Sequence, residues 1–285
     1  MKILSDNIRF LLLLVLLATG IISCSEDMEE LNDDAQVTFT ATLSDDLLTR
    51  SFGEGLSVDK LVIGVFDLND NGEYVEITKR HYADIVNGQI ENITLSLAKS
   101  ETYHFVFWAY NSESGVYDIE EKGSLTAIKM KHDIIGFAEA ENADAFFATI
   151  KNFTVEGNII KDVPMKRPLA QINVGTSGTA TAAAFTVYET ADTFHPFTET
   201  VSGETNFTWT FAEASTETFS VKMNETQYTY NYLAMCYMFA PLGDKTEAVK
   251  KTCQLELTNM NEKIHFQDVE LHANHRSNIV GSFTE

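Results

Sequence analysis

The 285-residue chain carries 20 lysines and arginines against 42 aspartates and glutamates, a formal net charge of −22. A surface of that sign repels phosphate backbones and anionic headgroups, which argues against nucleic acid as a partner and suits a secreted, soluble surface. Three cysteines are too few for a disulfide framework.

The first element in chain order is an export signal. Lys2 and Arg9 supply its positive start, Leu11 to Leu17 form an apolar run too short to span a bilayer, and small residues follow. Ile21-Ile22-Ser23-Cys24 then reads as a bacterial lipobox. Its chemistry needs a thiol at the first mature position, because the sulfur is the nucleophile that accepts diacylglycerol, and a small residue before it so that the peptidase can cut. Residues 1–23 are therefore expected to be a lipoprotein signal peptide, with Cys24 as the lipidated N-terminus. At about 0.8 kcal/mol per buried methylene, two or three acyl chains hold such a protein on the outer membrane. Ser25, Glu26 and Asp27, with Glu29 and Glu30 behind them, are similar to the acidic export signal after the lipidated cysteine in surface lipoproteins of the Bacteroidetes. Residues 24–35 thus read as an acidic tether at the cell surface, although the same carboxylates would serve a plain solvated tether.

Removing residues 1–23 from 285 leaves 262, enough for two ordinary domains. Val37 to Leu43 (VTFTATL) places Val37, Phe39, Ala41 and Leu43 on one face and threonines on the other, the pattern of a half-buried strand. Arg50 lies in the connection that follows. Lys60 to Asp67 (KLVIGVFD) predicts a strand buried on both faces, ending in a hairpin turn at Asp70-Asn71-Gly72. Asp67, Asn69, Asn71 and Gly72 also match the first half of a calcium loop. That loop requires a glutamate at its twelfth position, which here is Thr78, and turn chemistry explains the same residues.

NITLSLAKS alternates around Ile93, Leu95 and Leu97, and Thr102 to Tyr110 (TYHFVFWAY) predicts a central strand, with His104 among its aromatics as a core or half-exposed residue rather than a ligand. Asn111 to Lys131 reads as irregular. Thr154 to Val163 and the strand Ala170 to Val174 bracket Pro168, which belongs at a sheet edge or the start of a strand. A domain boundary is placed here, giving a sandwich over 36–165 and another over 166–285. The second half continues with strands around Ala184 to Tyr188, Phe207 to Phe211, Phe219 to Met223, Tyr228 to Phe239, Cys253 to Leu257 and Ile264 to Phe266. Cys236 and Cys253 sit in apolar runs, as one disulfide or as two buried thiols. No long helical period and no internal repeat is visible, so the chain reads as all-β, two sandwiches in tandem.

No nucleophile elbow, zinc-protease helix, Walker loop or dinucleotide fingerprint occurs, so no enzyme activity, cofactor or metal is expected. His272 and His275 are a two-histidine pair without a third ligand nearby in sequence.

Several pieces, in this order, resemble the fimbrillin-like and Mfa-like lipoproteins of Bacteroidales, a group that includes uncharacterised lipoprotein domains. They are the lipobox at Cys24, the Val37–Leu43 strand followed by Thr49-Arg50, the FVFWAY strand, the run Lys166 to Val174 (KRPLAQINV), and the closing Asn274 to Gly281 (NHRSNIVG). The resemblance implies two tandem transthyretin-like β-sandwich domains after a lipoprotein signal peptide. In pilus-forming members an Arg-specific protease cuts after an early strand, and the groove so opened takes a strand from the next subunit. The matching cleavage position here is Arg50, although an exposed arginine after a strand is also common. Only four residues follow Gly281, so an anchor or accessory fimbrial component acting in adhesion or assembly is expected rather than a main stalk subunit. The alternative is a non-polymerising surface lipoprotein that binds glycans or other ligands, with Trp209 or Tyr110 stacking on sugar rings.

Overall fold

The computed structural model describes residues 34–43, 57–131, 133–242, 248–258, 260 and 263–284. The chain opens with seven strands, some alternating apolar and polar residues and two apolar on both faces. They are β1 (Asp34–Leu43), β2 (Lys60–Leu68), β3 (Tyr74–Glu76), β4 (His81–Val86), β5 (Gln89–Ile90), β6 (Ile93–Ala98) and β7 (Thr102–Tyr110). A connecting segment follows, with β8 (Tyr117–Asp118), β9 (Ile128–Met130), β10 (Asp133–Ile135) and one short helix, α1 (Gly136–Glu141). The strands β11 (Phe146–Thr154) and β12 (Ile159–Met165) close this half. The second half holds β13 (Leu169–Thr176), β14 (Ala183–Thr190), β15 (Thr193–His195), β16 (Thr200–Ser202) and β17 (Thr205–Phe211). It ends with β18 (Thr218–Met223), β19 (Thr226–Phe239), β20 (Val249–Leu257), β21 (Ile264–Leu271) and β22 (Arg276–Gly281). The protein is all-β.

In the first half a small sheet of order β12-β1-β6 faces a larger one of order β11-β7-β2-β4-β5. Val37, Phe39 and Ala41 from β1 meet Ile63, Val65, Phe105 and Phe107 from the larger sheet in one apolar core. The second half pairs a sheet of order β18-β19-β13-β22 with one of order β10-β17-β14-β20-β21, and a small sheet β16-β15-β9-β8 lies beside them. Between Met165 and Leu169 the chain passes from the first sheet pair to the second. The second core does not stop there. It takes Val62, Phe66, Val106 and Trp108 from the other face of β2 and β7, together with Leu125, Ile128 and Ile134 from the connecting segment. Both faces of β2 and β7 are therefore covered, which is why KLVIGVFD and TYHFVFWAY contain so few polar positions. Residues 35–285 form one compact unit.

The predicted turn after β2 forms as chemistry requires. Asn69 Oδ1 accepts from the backbone N–H of Asn71 (3.0 Å) and of Glu73 (2.9 Å), and Gly72 takes a positive φ of 77° that favours glycine. This leaves Asn69 satisfied by the backbone and β2 paired with β3.

The passage between the sheet pairs is fixed by a buried ion pair. Asp144, just before β11, receives Arg167 Nε at 2.6 Å and Nη2 at 2.7 Å, and Arg167 is 2% exposed. The guanidinium also lies 4.6 Å from the Phe146 ring centroid. Phe147 and Lys166 exchange two backbone hydrogen bonds of 2.8 Å beside it. Removing one partner would leave the other charge buried without its bidentate mate. Asp144→Asn is expected to lower the unfolding free energy by about 3–5 kcal/mol, with Asp144→Leu plus Arg167→Met recovering part of the loss. Urea denaturation of both variants checks this, and a loss below about 1 kcal/mol for the single change contradicts it.

Candidate functional site

β1 is placed by contacts with distant parts of the chain. Val37 to Leu43 pair in parallel with Ile159 to Met165 of β12, and β6 lies on the other side of β1. More than a hundred residues separate β1 from β12, so tertiary packing and not a hairpin holds it. Ala35, Val37, Phe39 and Ala41 point inward and are 0–5% exposed. The Phe39 ring lies 4.9 Å from Phe105, 5.2 Å from Phe107 and 6.5 Å from Phe153, between centroids. Burying Val37 and Phe39 contributes roughly 1.5–3 kcal/mol each. On the outer face Gln36 Nε2 donates to Ser96 Oγ at 3.2 Å, and the Thr38 and Thr94 hydroxyls are 2.8 Å apart.

The edges of this sheet are unequal. β12 is its outer strand and carries Pro164, which offers no N–H, together with Lys161 and Asp162, features that blunt an edge against pairing. β6, on the other side of β1, is the second edge strand of this sheet, and β1 alone bonds to both. Taking β1 out would leave β12 and β6 about 10 Å apart, two strand spacings, with unpaired backbone groups on both. The chain after Leu43 is next described at Ser57, whose carbonyl accepts from Asn111 Nδ2 at 2.6 Å and whose hydroxyl donates to Glu141 O at 2.8 Å. Arg50 lies between these points, outside the described residues. So do Cys24, Ser25, Glu26 and Asp27.

The aromatic residues expected to stack on sugars are core. Trp209 is 0% exposed and Tyr110 is 9% exposed, so neither forms an open platform. Alternation along NFTWTFAE marked a shared face without showing that it is covered, as it is here, in the second core. Cys236 and Cys253 are both free and buried, and burial pushes both thiols up, Cys253 to about 12. The His272 and His275 rings are 5.2 Å apart, with His275 Nδ1 2.8 Å from Ala273 O. Among the described residues no group of three or more His, Cys, Asp or Glu side chains comes together to hold a metal ion. No described helix is long and apolar enough to cross a membrane.

The sequence pattern of a family of unknown function, DUF6562, matches residues 29–284. The chain belongs to this family. No curated protein matches this DUF6562 chain in sequence. Among solved structures, a candidate adhesin from Bacteroides ovatus is 9% identical, with 87% of each chain covered and a TM-score of 0.50. The fimbrial anchor protein Mfa2 from Porphyromonas gingivalis is 10% identical over 82% of each chain, with a TM-score of 0.49. The tip fimbrial protein Mfa3 from Porphyromonas gingivalis is 14% identical over 82% of this chain and 81% of that one, with a TM-score of 0.41. At such identities the likeness concerns the β-sandwich fold.

His104 of the DUF6562 chain lies in the core, as its neighbours suggest. Its Nδ1 accepts from the Asn152 backbone N–H at 3.2 Å, and its ring meets Tyr74 edge to face at 5.1 Å. Burial, opposed by Asp67 and aided by Lys151, holds its pKa below the ordinary histidine value. The unfolded chain therefore takes up the proton first as pH falls. The neutral ring's stabilisation is complete above about pH 6.5 and is lost as pH falls from there toward the folded-state value. His104→Gln keeps an acceptor without titrating and is expected to flatten the decline in unfolding free energy between about pH 7 and 5.5. Equal slopes for the variant and the wild type in urea titrations across that range contradict this.

Proposed function

We propose that the chain is a surface-anchored lipoprotein of fimbrillin-like type, held in the outer membrane by acyl chains on Cys24 and joined to fimbrial subunits by β-strand addition. Glu26 and Asp27 beside the lipid serve export to the outer face. While the chain is intact this lipid holds it at the membrane, which suits an anchor or accessory role in adhesion; a cut after Arg50 would leave the lipid on the segment that carries β1.

The observation that carries this reading is the position of β1, central in a three-stranded sheet but joined to neither neighbour by a hairpin. Cleavage after Arg50 would leave β1 held by non-covalent contacts alone. A strand from a partner can then take its place, gaining the same backbone hydrogen bonds to β12 and β6 and the same side-chain pockets. The fold shared with the candidate adhesin from Bacteroides ovatus is consistent with this role.

Limited digestion of the folded protein with an Arg-specific protease tests it. Cleavage is expected first at Arg50, and the nicked protein is expected to bind a pilin donor strand or form larger species on native gels. If Arg50 resists cleavage, or the nicked protein stays monomeric with donor peptides present, the assembly role fails.

A further inference from the structure

The slot occupied by β1 is not a uniform apolar groove. Its inner face takes a methyl at position 35, a branched side chain at 37, a full phenyl ring at 39 and a methyl again at 41. Ala35 is 0% exposed and Ala41 is 5% exposed, so both methyl groups are covered and a longer side chain there must displace what covers them. Position 39 differs in size and in chemistry. Phe105 and Phe107 from β7 and Phe153 from β11 surround it, and these rings also pack on one another, with centroids 6.3 Å apart for Phe105–Phe107 and 5.9 Å for Phe105–Phe153. An aliphatic side chain shorter than phenylalanine would leave a void among three rings that belong to the frame and cannot close over it.

We infer that the Phe39 pocket selects the strand that can replace β1. The occupant is an extended segment of a partner polypeptide that reads small–x–branched–x–aromatic–x–small, with the aromatic residue opposite Lys161 of β12 and polar residues at the x positions. The x positions follow from the outer face, where Gln36 and Thr38 meet Ser96 and Thr94 through side-chain hydrogen bonds. Backbone pairing with β12 and β6 is available to any strand, so it gives affinity without choice. The aromatic position supplies the choice. This inference rests on the strand-exchange reading above and names the partner's chemistry.

The test uses the full mature chain with a specific protease site placed within residues 44–56, so that it does not depend on whether Arg50 is cut. After cleavage, the protein is offered a dye-labelled peptide of residues 34–43 and its variants, and retention is read by fluorescence anisotropy. The unaltered peptide is expected to exchange into the slot. The Phe39→Ala and Ala41→Leu peptides are expected to bind about tenfold or more weakly, and an outward Thr40→Ser peptide within about twofold of the original. If the unaltered peptide is retained and Phe39→Ala is retained equally well, the pocket does not select and the inference is overturned while exchange stands. If no peptide enters, the exchange reading falls, and this inference with it.

Discussion

The insertion of β1 between two strands with which it forms no hairpin is the constraint on which the first sheet pair depends. Without β1, β12 and β6 are too far apart to bond, and the inner face of β7 loses its cover at Phe105 and Phe107. The Phe39 ring lies against both. β1 is thus central in its sheet and tertiary in origin.

The rest of the molecule is built so that such a division would be local. The second core contains no residue of β1, and it reaches β2 and β7 from their opposite face through Val62, Phe66, Val106 and Trp108. Those two strands stay packed on one side whatever happens on the other. The buried Arg167–Asp144 pair then fixes the start of β13 against the start of β11. Such a pair adds little net stability over an apolar replacement, but its bidentate geometry permits one arrangement of the two chain segments. The strands that line the slot, β7 and β11, thus also pack into the second core, through Val106, Trp108 and Phe147.

Much of this was legible in the residues. The alternation of VTFTATL gave β1 and its inward face, and the doubly apolar KLVIGVFD and TYHFVFWAY gave central strands. What covers the second face of those strands was not legible. The segment after Asn111 contributes Leu125, Ile128, Met130 and Ile134 in short runs with no sustained period, because its strands are two or three residues long. The partners of β1 were hidden for a different reason. Its parallel pairing with β12 joins distant parts of the chain, and nothing local in Ile159 to Met165 encodes that neighbour. Trp209 shows the same limit, since periodicity identifies a face and only the fold shows what lies over it. Cys24 and Arg50 lie outside the described residues.

The central claim is that β1 is a separable strand on a frame that survives its departure. Native-state hydrogen exchange on the chain cut between residues 44 and 56 measures this most directly. The account predicts that amides of β1, and the amides of β6 and β12 that face it, lose protection together, at an opening free energy well below that of β2, β7 and β13. Exchange of the β1 amides only with global unfolding, at the same free energy as β7, would contradict it.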